Sequence, residues 1–282
     1  MKKWNTILSM GLIALVCSCG ESEPKVEAPV EKVITEDVHP QEMLKEAYQL
    51  FKEGKDEESI ILAKEVLELG RSTDNDTLVG GALTSLCRNA QRSLDTNSLA
   101  DLSDQLVALS DKSGNPKWMM YRAHMNAEMW RLIGDMDRAE SFYNESMEIS
   151  SQIGALGMFT IDHFNKSFVS VAKGDFETAQ TLILKYYALR NESDPESEDA
   201  YGLIAMAYYL EQQENYEGAH QVAVVTRRLF EEQNLFPEPP DEKPLLAVEA
   251  KVDEKLSSQD QQNIELASDT LSVSDLLEKY MQ

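Results

Sequence analysis

Basic residues are scarce in this chain: Lys and Arg number 26 against 50 Asp and Glu, for a formal charge of −24. A surface so acidic is repelled by nucleic-acid phosphates and by anionic headgroups, which excludes a nucleic-acid partner. Histidine is scarcer still, with four residues spread over 282. His124 and Glu128 stand four apart, a spacing that could present two metal ligands from one helix, but no third ligand accompanies them. Neither a metal nor a cofactor is expected. The motifs of common catalytic sites are missing too: there is no Gly-rich phosphate loop, HExxH, Gly-x-Ser-x-Gly or Cys-x-x-Cys. A protein without enzymatic activity is expected.

Long apolar runs are also lacking. Lys2 and Lys3 precede one run, Ile7 to Val16, too short to span a bilayer and laid out like a secretory signal. It ends Val16-Cys17-Ser18-Cys19-Gly20, which resembles the bacterial lipoprotein signal. That resemblance implies removal of residues 1–18 and a lipid such as palmitate on Cys19, which would anchor the chain to the membrane. Gly20 stands where an aspartate would favour the inner membrane, so the resemblance favours the outer membrane, facing the periplasm. Inner membrane and cell surface stay open. Loss of Lys2 and Lys3 takes the charge from −24 to −26. Only Cys19 and Cys87 then remain, and with Cys19 alkylated no intramolecular disulfide can form. Residues 19–40, rich in Glu, Val and Pro, read as a disordered tether, roughly 25 Å long as a coil and roughly 70 Å if pulled straight.

What the chain does have is a period. Ala47, Cys87, Ala127, Ser167 and Ala207 lie forty apart, and all are small. Ala139, Ala179 and Ala219 form a second series, weakening upstream to Leu99 and Ser59. Turn signals recur as Gly54-Lys55, Gly134-Asp135 and Gly174-Asp175, with Leu94-Asp95 and Glu214-Asn215 in their places elsewhere. Apolar residues between them follow helical spacing, as in Leu44, Ala47, Leu50 and Phe51. A fixed period of this size predicts an all-α fold: five stacked helical hairpins over 41–233. Polar strings at 71–77, 111–116 and 191–197 read as connections. Cys87 reads as a small buried hydrophobe.

These residues resemble tetratricopeptide repeats. The small residue of each first helix, the alanine five residues past the turn (Ala139, Ala179, Ala219) and the aromatics Phe176 and Tyr216 carry the likeness. The forty-residue period exceeds the usual one, with the extra length expected in the second helix and the loop after it. The resemblance implies an α-solenoid in which five hairpins form a right-handed superhelix. A Pro-rich loop and capping helix over 234–256 follow, with Leu245, Val248, Val252 and Leu256 as the stripe of a helix starting at Pro244. The remainder, 257–282, is polar and is expected to be mostly disordered.

In such repeats one face of each first helix lines a concave groove. Carried over residue by residue, that face holds Tyr48, Phe51, Arg88, Gln91 and Arg92, then Tyr121, His124, Glu128 and Arg131. Phe164, Phe168 and Val171 follow in unit four, and Tyr201, Ile204 and Tyr208 in unit five. Three arginines and one acid stand out in so acidic a chain. Together with the aromatics they point to a groove for a peptide or envelope-protein segment bearing acidic groups. The expected function is a membrane-tethered adaptor or scaffold of the bacterial envelope. The alternative is a sensory or regulatory subunit that binds a small ligand or signalling peptide. Units four and five are apolar on both sides, so either a partner, a second copy in a homodimer, or the chain's own C-terminal segment covers them. The anchoring expectation has a direct check. Cys19→Ser should abolish incorporation of labelled palmitate and move the protein from the membrane to the soluble fraction, whereas retention of both would overturn it.

Overall fold

The structure is a computed structural model that describes residues 39–193, 199–235, 237 and 239–282. The expected signal, Cys19 and the tether up to Val38 lie outside these residues. Among the described residues there are thirteen α-helices and no strand. They are α1 (Pro40–Lys52), α2 (Asp56–Ser72), α3 (Asp76–Arg92), α4 (Thr96–Ser113), α5 (Pro116–Ile133), α6 (Met136–Gln152) and α7 (Leu156–Ala172). After these come α8 (Phe176–Ser193), α9 (Ala200–Gln212), α10 (Tyr216–Glu232), α11 (Pro239–Lys255), α12 (Ser258–Ser268) and α13 (Val273–Tyr280).

The helices end and begin by one local device. Gly54, Asp74, Leu94, Gly114, Gly134, Gly154, Gly174, Glu214 and Asn234 all have left-handed backbone, with φ between 49° and 93°. Each is separated from the next by twenty residues, apart from the step of forty across the undescribed 194–198. At Gly54 the turn is closed by Lys55 N–H donating to the Leu50 carbonyl at 2.9 Å and Gly54 N–H to Phe51 at 3.0 Å. The same two bonds recur around Leu94, Gly134, Gly174 and Glu214. This is the Schellman closure, which satisfies carbonyls that the end of a helix would otherwise leave open. One residue further on, Asn75, Asp95, Asn115, Asp135 and Asn215 each accept a backbone N–H and start the next helix. The period of forty is therefore two steps of twenty. The extra length lies in the helices rather than in a long second loop: α2 runs to Ser72, α4 to Ser113 and α8 to Ser193, through residues whose composition suggested connections.

Close packing follows the small residues. Ala47, Cys87, Ala127, Ser167 and Ala207, and Ser59, Leu99, Ala139, Ala179 and Ala219, are all 0–1% exposed. Even the weak match at Ser59 is accommodated, because its hydroxyl donates to the Ala47 carbonyl at 2.8 Å across the hairpin. From α1 to α10 each helix packs on the next, and α1, α3, α5, α7, α9 and α11 also pack on one another in that order. Apolar side chains form one cluster in α1–α5 and another in α7–α13, with a small one around Ala127, Ala139, Tyr143 and Val169 between them. The middle of the molecule is instead polar: Glu128, Asp162, Ser146, Ser150 and Ser167 are fully buried there.

The C-terminal region differs most from expectation. Helix α11 starts at Pro239, five residues before Pro244, which lies inside it. Residues 258–268 and 273–280 are helical rather than disordered. Ser257 caps α12, and Ser272 with Asp275 forms a capping box for α13. Val273, Leu276 and Met281 join the main core, while Lys279 and Tyr280 both donate to Gln221 of α10, at 2.6 and 2.8 Å. Arg228 reaches the carbonyls of Ser268, Asp269 and Leu271. A few well-placed apolar residues, the Arg228 anchor and the bonds of Lys279 and Tyr280 to Gln221 hold a segment whose average composition is polar. The buried residues of α9 are covered by α11, so of the three covers considered for unit five, a partner, a second copy or the chain's own C-terminal segment, the C-terminal segment lies on this helix.

Leu94 has φ 56° and is 43% exposed, so it carries left-handed strain without much burial to offset it. Leu94→Gly should raise the stability by about 0.5–1 kcal/mol, after the entropy cost of glycine is deducted. Gly134→Ala, at φ 93°, should lower it by about 1 kcal/mol. Urea midpoints measure both, and equal midpoints for all three proteins would contradict the account of the turns.

Candidate functional site

Five odd-numbered helices, from α1 to α9, bring side chains to one cleft of ≈ 410 Å³. Tyr48 and Phe51 come from α1, Arg88 and Gln91 from α3, His124 and Met125 from α5, and Met158, Ile161, Phe164 and Asn165 from α7. Tyr186 and Arg190 of α8, Asp199 and Tyr201 at the start of α9, and Asp241 of α11 complete the wall. Tyr48 and Tyr201 are 153 positions apart in the chain, yet they line the same space. Successive odd helices thus curve around the cleft, and α11, which also touches α3, closes part of it.

Tyr48, Phe51, Arg88, Gln91, His124, Phe164 and Tyr201, seven of the side chains anticipated on a groove, do line this cleft. The others are engaged elsewhere. Arg92 pairs with Asp56 at 3.0 Å, donates to the Phe51 carbonyl and lies 3.7 Å over the Phe51 ring. Tyr121 packs beside Trp118, and Tyr208 against Phe168, with ring centroids 6.2 Å apart in each case. Phe168 is buried edge-on against Phe164 at 5.0 Å, under the Arg131 guanidinium.

Glu128 corrects the expectation most sharply. It is 0% exposed, not groove-facing, and one carboxylate gathers three donors. Gln91 Nε2 and Arg131 Nη2 each donate at 2.7 Å, and the Tyr143 hydroxyl donates to the other oxygen. Burial works against the charge of Glu128, but Arg131 and His124 beside it outweigh burial and hold its pKa below the usual carboxylate range. Arg131 also faces Asp241 at 3.8 Å, which links α5 to α11. His124, four residues from Glu128, is not paired with it as a ligand set. Its Nδ1 meets Asp162 Oδ1 at 2.7 Å, while Ser146 donates to Asp162 Oδ2 at 2.6 Å. Among the described residues no three potential ligands converge on a metal position. Cys87 is buried, and burial pushes its thiol up to about 12, so no reactive thiolate is present there.

Asp162, Tyr143, Ser146, Asn165, Tyr186, Arg190, Asp199 and Asp241 escaped the reading of the sequence. A signal for some of them was available. Gln91–Glu128, Arg92–Asp56, His124–Asp162, Lys112–Asp74 and Lys173–Asp137 are separated by 36–38 residues, one period less about a turn. Polar residues at that offset sit opposite each other on neighbouring units. Asp241 gave no such signal, because its place depends on how α11 crosses the odd helices.

No described helix is long and apolar enough to cross a membrane. Comparison with known proteins finds no matching family model and no similar curated protein.

Burial disfavours the charged ring of His124, but Asp162, with Glu128 behind it, outweighs burial and Arg88 and raises the pKa above 6.5. A raised folded-state pKa gives stability that is complete below the unfolded value and is lost as pH rises through the folded one. The stability difference between wild type and His124→Gln should therefore be largest near about pH 6 and shrink towards alkaline pH. Melting temperatures across that range test this, and a difference that grows with pH would refute the charged pair.

Proposed function

We propose that the protein is a non-catalytic, lipid-tethered adaptor or scaffold of the bacterial envelope, whose helical hairpins form a tetratricopeptide-like solenoid. The observation that carries the binding role is the cleft itself. Residues from five successive odd-numbered helices line one space with aromatic and apolar walls and a few convergent polar groups. Support for the solenoid comes from the ordered packing of each helix on the next and of odd helices on odd. Support for tethering comes from the Val16–Gly20 signal alone.

The cleft argues for a short segment rather than a whole helix in the groove. Its ≈ 410 Å³ holds one or two side chains, and α11 already covers the end towards Asp241. The same volume favours, as the second reading, a regulatory subunit that takes a small ligand.

A photo-crosslinking residue at Ile161 probes the cleft, and one at Leu184 of α8 serves as a control that does not line it. Both positions are exposed. Crosslinking in living cells should give a discrete protein adduct from position 161 that is missing from position 184. The same adducts from both, or none from 161, would count against the adaptor reading.

A further inference from the structure

The charges around the cleft are mostly matched. Arg190 pairs with Asp199 at 2.6 Å, His124 with Asp162 at 2.7 Å, and Asp241 faces Arg131 at 3.8 Å. Arg88 is different. Among the described residues it has no ion pair, and its guanidinium lies over the Tyr48 ring, 5.1 Å from the centroid. It is only half-buried, so water still reaches it. The protein carries nearly twice as many acids as bases, yet none has been placed against this arginine. Tyr48 beside it is itself 44% exposed, and the same cleft is lined by the apolar side chains of Met158, Ile161 and Phe164.

A guanidinium presents a planar fork of donors that fits a carboxylate, and stacking on Tyr48 holds that plane ready. One unmatched cation calls for one negative charge, and the wall beside it for an apolar group of aromatic size. We propose that the cleft binds a carboxylate carried on an apolar or aromatic body, with Arg88 as the anion-binding residue and Tyr48 and Phe164 as the apolar contacts. This rests on the reading of the cleft as the binding face and narrows its ligand. An acidic residue within an apolar stretch of a partner polypeptide and a free small acid both have this chemistry.

The test uses the full-length lipidated chain in mild detergent and calorimetric titration. Two probe pairs separate charge from shape: 3-phenylpropionate with 3-phenylpropanamide, and the capped peptide acetyl-Phe-Glu-Phe-amide with its Gln counterpart. At least one acid should bind saturably, and its uncharged partner should bind about ten-fold more weakly or worse, as expected for a lost charged hydrogen bond. Arg88→Met, checked for an unchanged melting curve, should weaken the acid by a similar factor. Tighter binding of the peptide points to a polypeptide partner, and tighter binding of phenylpropionate to a small acid. Equal binding of acid and amide, indifference to Arg88→Met, or no binding of either acid on the order of 1 mM would overturn the proposal. If Arg88→Met leaves the crosslink from position 161 intact while these titrations fail, the adaptor reading stands and only the ligand chemistry falls.

Discussion

The chain must reverse direction within about three residues, at intervals of twenty, and the rest of the structure depends on its doing so. Each reversal uses one residue in left-handed backbone, followed at most of them by a side-chain helix cap, and nothing longer intervenes in the turns of α1–α7. With so little slack, each helix emerges antiparallel to the last and directly against it. Side chains at the contact must then be small, which is why the Ala47 and Ala139 series are sealed from solvent. Five of the nine left-handed positions are glycine, and Asp74, Leu94, Glu214 and Asn234 take the same conformation with the strain that a Cβ brings. That the turn survives at Leu94 indicates that packing on both sides enforces it more strongly than local preference opposes it.

A second constraint lies at the middle of the stack. The two large apolar clusters are separated by a layer in which a buried carboxylate, an arginine and a His–Asp pair are held by complementary donors. Such groups contribute little net stability compared with well-packed apolar residues, because desolvation offsets most of their attraction. Their geometry is selective, however. Glu128 is satisfied only when α3, α5 and α6 all present their donors together, so the layer sets the relative register of hairpins two and three. Arg131 extends the same layer to Asp241 and so connects the stack to α11.

The cleft is the consequence of both. Odd-numbered helices face inward, the polar layer forms its floor near His124 and Gln91, and α11 covers part of it. Most charges there are used up in holding the helices together. This separates Arg92 and Arg131, which are paired with acids between helices, from Arg88, which lines the cleft without an ion pair among the described residues, although all three looked alike as basic residues on first helices.

From the residues alone, the all-helical fold, the places of the turns and the residues that pack most closely could be read, because each depends on local chemistry repeated at a fixed spacing. Seven of the cleft side chains were legible for the same reason: they fall on one face of a first helix. Tertiary structure decided the remainder. Whether Glu128 faces solvent or three donors, which arginine is left unmatched, and whether a polar tail packs as α12 and α13 depend on contacts between positions some 15 to 60 residues apart. A local pattern cannot encode such contacts, since burial and pairing belong to the neighbour that arrives as much as to the residue itself.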